Sequence, residues 1–144
     1  MRYLPVSVTA ALLAAVLVLT PAQAQEPGTQ EAAAIQGVIT AQIDAFRSDD
    51  GARAWSFATP MLQKQFADPD TFMTMVKGGY KPVYRPKSVV FGRLRDVPGG
   101  LVQEVFVVGP DGTDWTALYA VEQQADGSWR ISGCRLVEQP RLSA

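Results

Sequence analysis

Histidine is absent from this 144-residue chain, and cysteine occurs once, at position 134. Without histidine the commonest general base near neutral pH is missing, and with it the Ser-His-Asp triad, the His-rich zinc site and the imidazole proton switch. A single thiol excludes an intramolecular disulfide in any compartment. An excess of one charge is lacking too, since 13 basic residues face 14 acidic ones for a net charge of −1. Nucleic-acid-binding domains usually carry a basic excess, so nucleic acid is not an expected partner. There is no internal repeat and no low-complexity tract, and the length leaves room for one core and not two.

What is present begins with a targeting pattern. Arg2 and the amino terminus form a short positive region, the run from Val6 to Leu19 is apolar, and Pro21 breaks it. Ala22-Gln23-Ala24 then supplies the small residues that a signal peptidase accepts, which places a cut before Gln25. Residues 1–24 therefore read as a cleavable signal peptide, and loss of Arg2 takes the net charge from −1 to −2. The apolar run is short for a spanning helix, so stable membrane insertion after cleavage is not expected. No cysteine follows it for lipid attachment, and no twin-arginine pair precedes it. The expected location is the periplasm or the exterior, with folding after translocation and no cofactor.

After a polar leader at 25–30, Ile35, Val38, Ile39, Ile43 and Phe46 recur at helical spacing and predict one long helix from about Glu31 to Arg47. Asp50, Thr59-Pro60 and Asp68-Pro69 are start signals for three short helices, the last stopped by Gly78-Gly79. From Tyr80 onward the pattern becomes β-branched with period two. Strands are predicted at about Val83–Arg95, Leu101–Val108, Thr113–Gln123 and Trp129–Val137, separated by Gly- and Asp-rich turns. Short connections force antiparallel neighbours, and such a meander needs a cover for its apolar face. The expected fold is α+β, with one long and about three short N-terminal helices packed on a curved four-stranded antiparallel meander. The domain spans 31–139, followed by a tail at 140–144.

That order of elements resembles the cone-shaped fold of the nuclear transport factor two-like superfamily. A closer similarity rests on Gln42-Ile43-Asp44-Ala45-Phe46-Arg47-Ser48-Asp49-Asp50, Phe57-Ala58-Thr59-Pro60, Met75-Val76-Lys77-Gly78-Gly79-Tyr80, Tyr84-Arg85-Pro86 and Asp126-Gly127-Ser128-Trp129-Arg130-Ile131-Ser132-Gly133-Cys134. These resemble a bacterial family of mostly exported proteins known as domain of unknown function 4864. The resemblance implies the fold and carries no catalytic residue.

Asp44 points away from the apolar stripe, whereas Gln42 falls within it and must find partners, either backbone at the helix–sheet seam or a pocket. Glu104 alternates with Val102, Phe106 and Val108; enclosed, it could donate or accept a proton, and otherwise it pairs with an arginine of the neighbouring strand. Lys77, Lys81, Arg85, Lys87, Arg93 and Arg95 occur without an acid between Asp70 and Asp96, interleaved with Tyr80 and Tyr84. This is a surface for an anionic ligand unless the acids of later strands neutralise it. Trp115 and Tyr119 share a strand face as core or as lining of an apolar cavity, Cys134 reads as a buried small hydrophobe, and Asp111-Gly112-Thr113-Asp114 reads as turn chemistry and not a calcium loop.

The expected function is non-catalytic binding of a small apolar or anionic ligand, or of a protein, in a pocket lined by Gln42, Tyr80, Tyr84, Arg85, Glu104, Trp115 and Tyr119. Two alternatives stand beside it. One is a lyase, isomerase or hydrolase built on an enclosed Glu104, and the other is a homodimer formed through the open sheet face.

Overall fold

The computed structural model describes residues 27–140. The expected signal peptide at 1–24, the first two residues of the expected leader and the tail beyond 140 lie outside the described residues. Among the described residues, five helices precede four strands: α1 (Pro27–Arg47), α2 (Gly51–Ser56), α3 (Pro60–Phe66), α4 (Pro69–Gly79), α5 (Lys81–Tyr84), β1 (Ser88–Val97), β2 (Gly100–Val108), β3 (Asp114–Gln123) and β4 (Trp129–Glu138). The strands form one antiparallel sheet in the order β1-β2-β3-β4. No helix of the described residues is long and apolar enough to cross a membrane.

Local chemistry accounts for the helix starts. Asp50, Thr59 and Asp68 each accept from a backbone N–H three residues on, at 3.1, 3.3 and 2.7 Å, and Pro60 and Pro69 open the helices that follow the last two. Two boundaries differ from the sequence reading. The helix α1 begins at Pro27 and absorbs most of the supposed leader, because proline's fixed φ suits the first turn. Lys81–Tyr84 is a fourth short helix and not the start of a strand: the N–H groups of Val83 and Tyr84 both bond Tyr80 O at 3.0 Å. Arg85, the residue before Pro86, leaves the helical region at φ −138° and ψ 61°, and β1 starts only at Ser88.

The predicted ridge of α1 lies against the sheet, with Ile35, Ile39, Ile43 and Phe46 all buried and Asp44 exposed. Facing it are Val89, Phe91 and Leu94 of β1, Val105 and Val107 of β2, Ala117, Tyr119 and Val121 of β3, and Ile131 of β4. Two register breaks bend the sheet, between Phe91 and Leu94 on β1 and at Ala120/Val121 against β4. At the first, the buried Gln103 reaches the backbone: its Nε2 donates to Gly92 O at 3.1 Å and to Glu104 O at 2.9 Å. Along β4, Thr59 N donates to Ile131 O at 2.9 Å and Ile131 N to Phe57 O at 2.8 Å. This short parallel bridge ties the α2–α3 connection to the sheet.

Candidate functional site

The helical half does not fill the space above β3 and β4. A cavity of about 420 Å³ remains, walled by Gln42 and Phe46 of α1, Leu62, Gln65 and Phe66 of α3, Phe72, Met75 and Val76 of α4, Tyr80 and Val83 beyond it, and Tyr119, Ile131, Ser132, Gly133 and Cys134 of the sheet. Its size is within the range of ligand pockets. None of the described residues lining it is Asp, Glu, Lys or Arg.

The wall is fixed by aromatic packing. Phe72 sits at the centre, with ring centroids 5.6 Å from Trp55, 5.7 Å from Phe66 and 6.2 Å from Phe46; such pairs contribute roughly 0.5–1.5 kcal/mol each beyond their buried area. The polar groups are few. Gln42 is 3 % exposed and donates from Nε2 to Ala54 O at 3.2 Å. Because the partner is a carbonyl, the amide nitrogen must face it, and this settles which end of the side chain is which. Tyr119 and Cys134 are directly paired across β3 and β4, and the Tyr119 hydroxyl donates to the Cys134 sulfur. Burial pushes the Cys134 thiol up to about 12 against a smaller opposing effect of Tyr119. The Tyr119 phenol is pushed well above its ordinary value, first by burial and then by Cys134. Both groups are therefore protonated and neutral at physiological pH, and the thiol is no nucleophile there.

Of the residues singled out from sequence, the structure brings Gln42, Tyr80 and Tyr119 together in this cavity. Trp115 lies instead in a separate depression with Lys81, Pro82, Asp111 and Leu136. Tyr84 and Arg85 serve the C-terminal end of α1. Arg85 Nη1 donates to Phe46 O, Arg85 Nη2 donates to Asp49 Oδ2 at 3.0 Å, and Tyr84 Oη donates to Asp49 Oδ1. The Arg85 guanidinium also stacks on the Tyr84 ring at 4.0 Å, and Lys77 Nζ stands 3.9 Å from Asp49 Oδ1. Part of the basic stretch is thus spent on a helix end and on Asp49, an acid that precedes it in the chain, while of the later-strand acids Glu104 takes Arg95. Glu104 is on the opposite side of the sheet from the cavity, because Gln103, Val105 and Val107 take the helix-facing positions of β2. Its carboxylate accepts from Arg95 Nε at 2.7 Å. The enclosed acid of the enzymatic alternative is not in the cavity. The lining from α3 and α4 had been overlooked; Leu62/Phe66 and Phe72/Val76, each at i, i+4, were the available signal.

Asp49 has φ +53°, a left-handed residue ending α1, and the Tyr84 hydrogen bond together with Arg85 and Lys77 lowers its carboxyl below the usual range. A carboxyl lowered on folding contributes stability above its unfolded value near 4, and that contribution is lost as pH falls through the folded value. Asp49→Asn keeps a residue tolerant of left-handed backbone but removes the charge. The variant is expected to be less stable than the parent at pH 7, the difference vanishing near pH 2, as read by urea unfolding at both pH values. An unchanged difference at low pH would show that shape and not charge is at work.

The geometry defines a class: an antiparallel sheet covered on one face by helices, holding an uncharged, mostly apolar cavity between the layers. Residues 28–144 match a family model described as a domain of unknown function, DUF4864, and the chain belongs to that family. Neither curated proteins nor solved structures give a match.

Proposed function

We propose that this is an exported, non-catalytic binding domain with a cone-like arrangement similar to the nuclear transport factor two-like fold, and that its cavity takes a small, uncharged, largely apolar molecule. The observation that carries the reading is the lining: aromatic and aliphatic walls, with Gln42, Tyr119 and Cys134 as neutral hydrogen-bonding groups and no charged side chain among the described residues. An anion moved into such a space loses its hydration and meets no cation, whereas a neutral ligand loses little. Of the two ligand classes expected from sequence, this favours the apolar one. Gln42, anchored through its nitrogen, would present its carbonyl oxygen to a donor on the ligand.

The neutral fluorophore N-phenylnaphthylamine provides the test. It is expected to bind with enhanced emission and to outcompete the anionic anilinonaphthalene sulfonate by at least about tenfold, the factor that about 1.4 kcal/mol of differential desolvation produces. Ser132→Phe, at the half-buried wall, should abolish that signal while leaving the unfolding midpoint within a few degrees of the parent. Equal binding of both probes, or binding that survives Ser132→Phe, would sink the reading.

A further inference from the structure

We propose that the cavity selects its ligand by hydrogen-bond polarity: it takes a neutral ring compound carrying an O–H or N–H donor, of the alcohol, phenol or indole type, and rejects the corresponding ketone, ether or ester. This rests on the binding reading above and specifies the chemistry that the same site accepts.

Gln42 and Gln103 are both buried, and their amide oxygens fare differently. Gln103 Oε1 is sealed off without a hydrogen-bond partner, and it is the one such side-chain atom among the described residues. Gln42 Oε1 has no partner among the described residues either, since the side chain's bond runs from Nε2 to Ala54 O at 3.2 Å. It is not sealed, however, so it keeps surface of its own, and the space that Gln42 lines is the cavity. The Ala54 bond holds the oxygen there, because turning the amide over would set two acceptors against each other.

Tyr119 acts in the same sense. Its phenol is 1 % exposed and gives its proton to the Cys134 sulfur, which leaves lone pairs and no hydrogen for a ligand. The Cys134 thiol is itself only a weak donor. The stronger side-chain donors of the lining stand toward water: Gln65 is exposed, and Tyr80 and Ser132 are half-buried. The deep end, where Phe46, Phe72, Val76 and Ile131 are buried beside Gln42, thus offers acceptor oxygen and apolar carbon. A carbonyl seated there gives up its water and meets lone pairs. A hydroxyl or ring N–H gives up its water and finds Gln42 Oε1. A site built around such a bond discriminates against the analogue lacking the donor more sharply than an apolar wall discriminates on size.

The walls set the shape. Phe46, Phe66 and Phe72 present tilted and edge-on rings, which suit offset or edge contact with a flat ligand. An apolar cavity of about 150 Å³ holds one benzene, so about 420 Å³ accommodates two fused rings with a short substituent.

α-Tetralol and α-tetralone provide the test, since they share a fused two-ring skeleton and differ at one carbon, C–OH in the first and C=O in the second. Displacement of N-phenylnaphthylamine from the purified protein is expected to need at least about tenfold less α-tetralol than α-tetralone. The methyl ether of α-tetralol, which keeps the oxygen and loses the hydrogen, should displace no better than the ketone; this comparison needs no variant. In Gln42→Met, folded by its urea transition, the alcohol-to-ketone ratio should fall to within about threefold. A wild-type ratio near one, a methyl ether as effective as the alcohol, or a tenfold ratio untouched by Gln42→Met would overturn the proposal. Those results, with the fluorophore still bound, would leave the apolar reading of the cavity standing and remove the donor rule alone. Absence of fluorophore binding would remove both.

Discussion

Gln42→Glu is expected to destabilise the domain by about 3 kcal/mol or more at pH 7 and by much less at pH 4. Gln42 is almost fully buried, donates to Ala54 O at 3.2 Å, and shares its surroundings with apolar side chains and no cation among the cavity's described residues. An ionised carboxylate in its place has no donor hydrogen for Ala54 O and no counter-charge, so burial raises its pKa by about two units or more at about 1.4 kcal/mol each. The sign follows from linkage. A carboxyl raised on folding costs nothing below its unfolded value near 4.3, where the protonated form can still donate to Ala54 O, and the cost grows as pH rises through the folded value. Urea unfolding followed by tryptophan fluorescence at both pH values reads the difference. Gln42→Met serves as the control: it removes the amide's hydrogen bond to Ala54 O, which keeps the longer one from Phe57 N at 3.4 Å, a loss of about 0.5–1.5 kcal/mol with no pH dependence. If Gln42→Glu shows no pH-dependent loss between pH 4 and pH 7, the position is open to water.

Helical phase made this residue legible before any coordinates. Ile35, Ile39, Ile43 and Phe46 define a ridge, and a glutamine lying within that arc has to be buried whatever the fold. Tyr119 was legible on the same grounds, from alternation along β3. Period two tells which residues share a face but not which face is inward, and Glu104 shows the limit. Both faces of β2 are apolar, Val102, Phe106 and Val108 on one side and Val105 and Val107 on the other, so composition does not choose. What chooses is Gln103, whose amide bonds the backbone at the β1 register break, and that break is a tertiary feature. Tyr84 and Arg85 were placed by chain order in a basic surface. Their partner, Asp49, is 36 residues from Arg85, a distance no local rule spans. The turn at Lys81–Tyr84 was hidden for the opposite reason, since Pro82 and Val83 suit both a strand edge and a first helical turn.

The domain is expected to lose stability steeply in alkali, and the loss should begin at the floor of the cavity. An unfolded thiol ionises near 8.5, while that of Cys134 is held protonated up to about 12 in the folded protein. A group raised on folding contributes stability that is complete below its unfolded value and is lost as pH rises through the folded one. Between about pH 9 and 12 this one thiol costs about 1.4 kcal/mol per pH unit. Tyr119, raised in the same sense by burial and by Cys134, adds its own slope once pH passes about 10. Urea midpoints at pH 7, 9 and 10.5 should therefore fall progressively. Cys134→Ala should flatten the fall between 9 and 10 and leave, of the Tyr119 slope, the part that burial sets. A thiol reagent offers an independent reading: Cys134 should react at least about a hundredfold more slowly in the native protein at pH 8 than in urea, because only the thiolate attacks and burial removes it. Rapid labelling of native Cys134, or midpoints independent of pH up to 10.5, would mean that water reaches the Tyr119–Cys134 pair. The same result would remove the reason for assigning the cavity a neutral ligand, since a wet floor can solvate an anion as readily as it ionises a thiol.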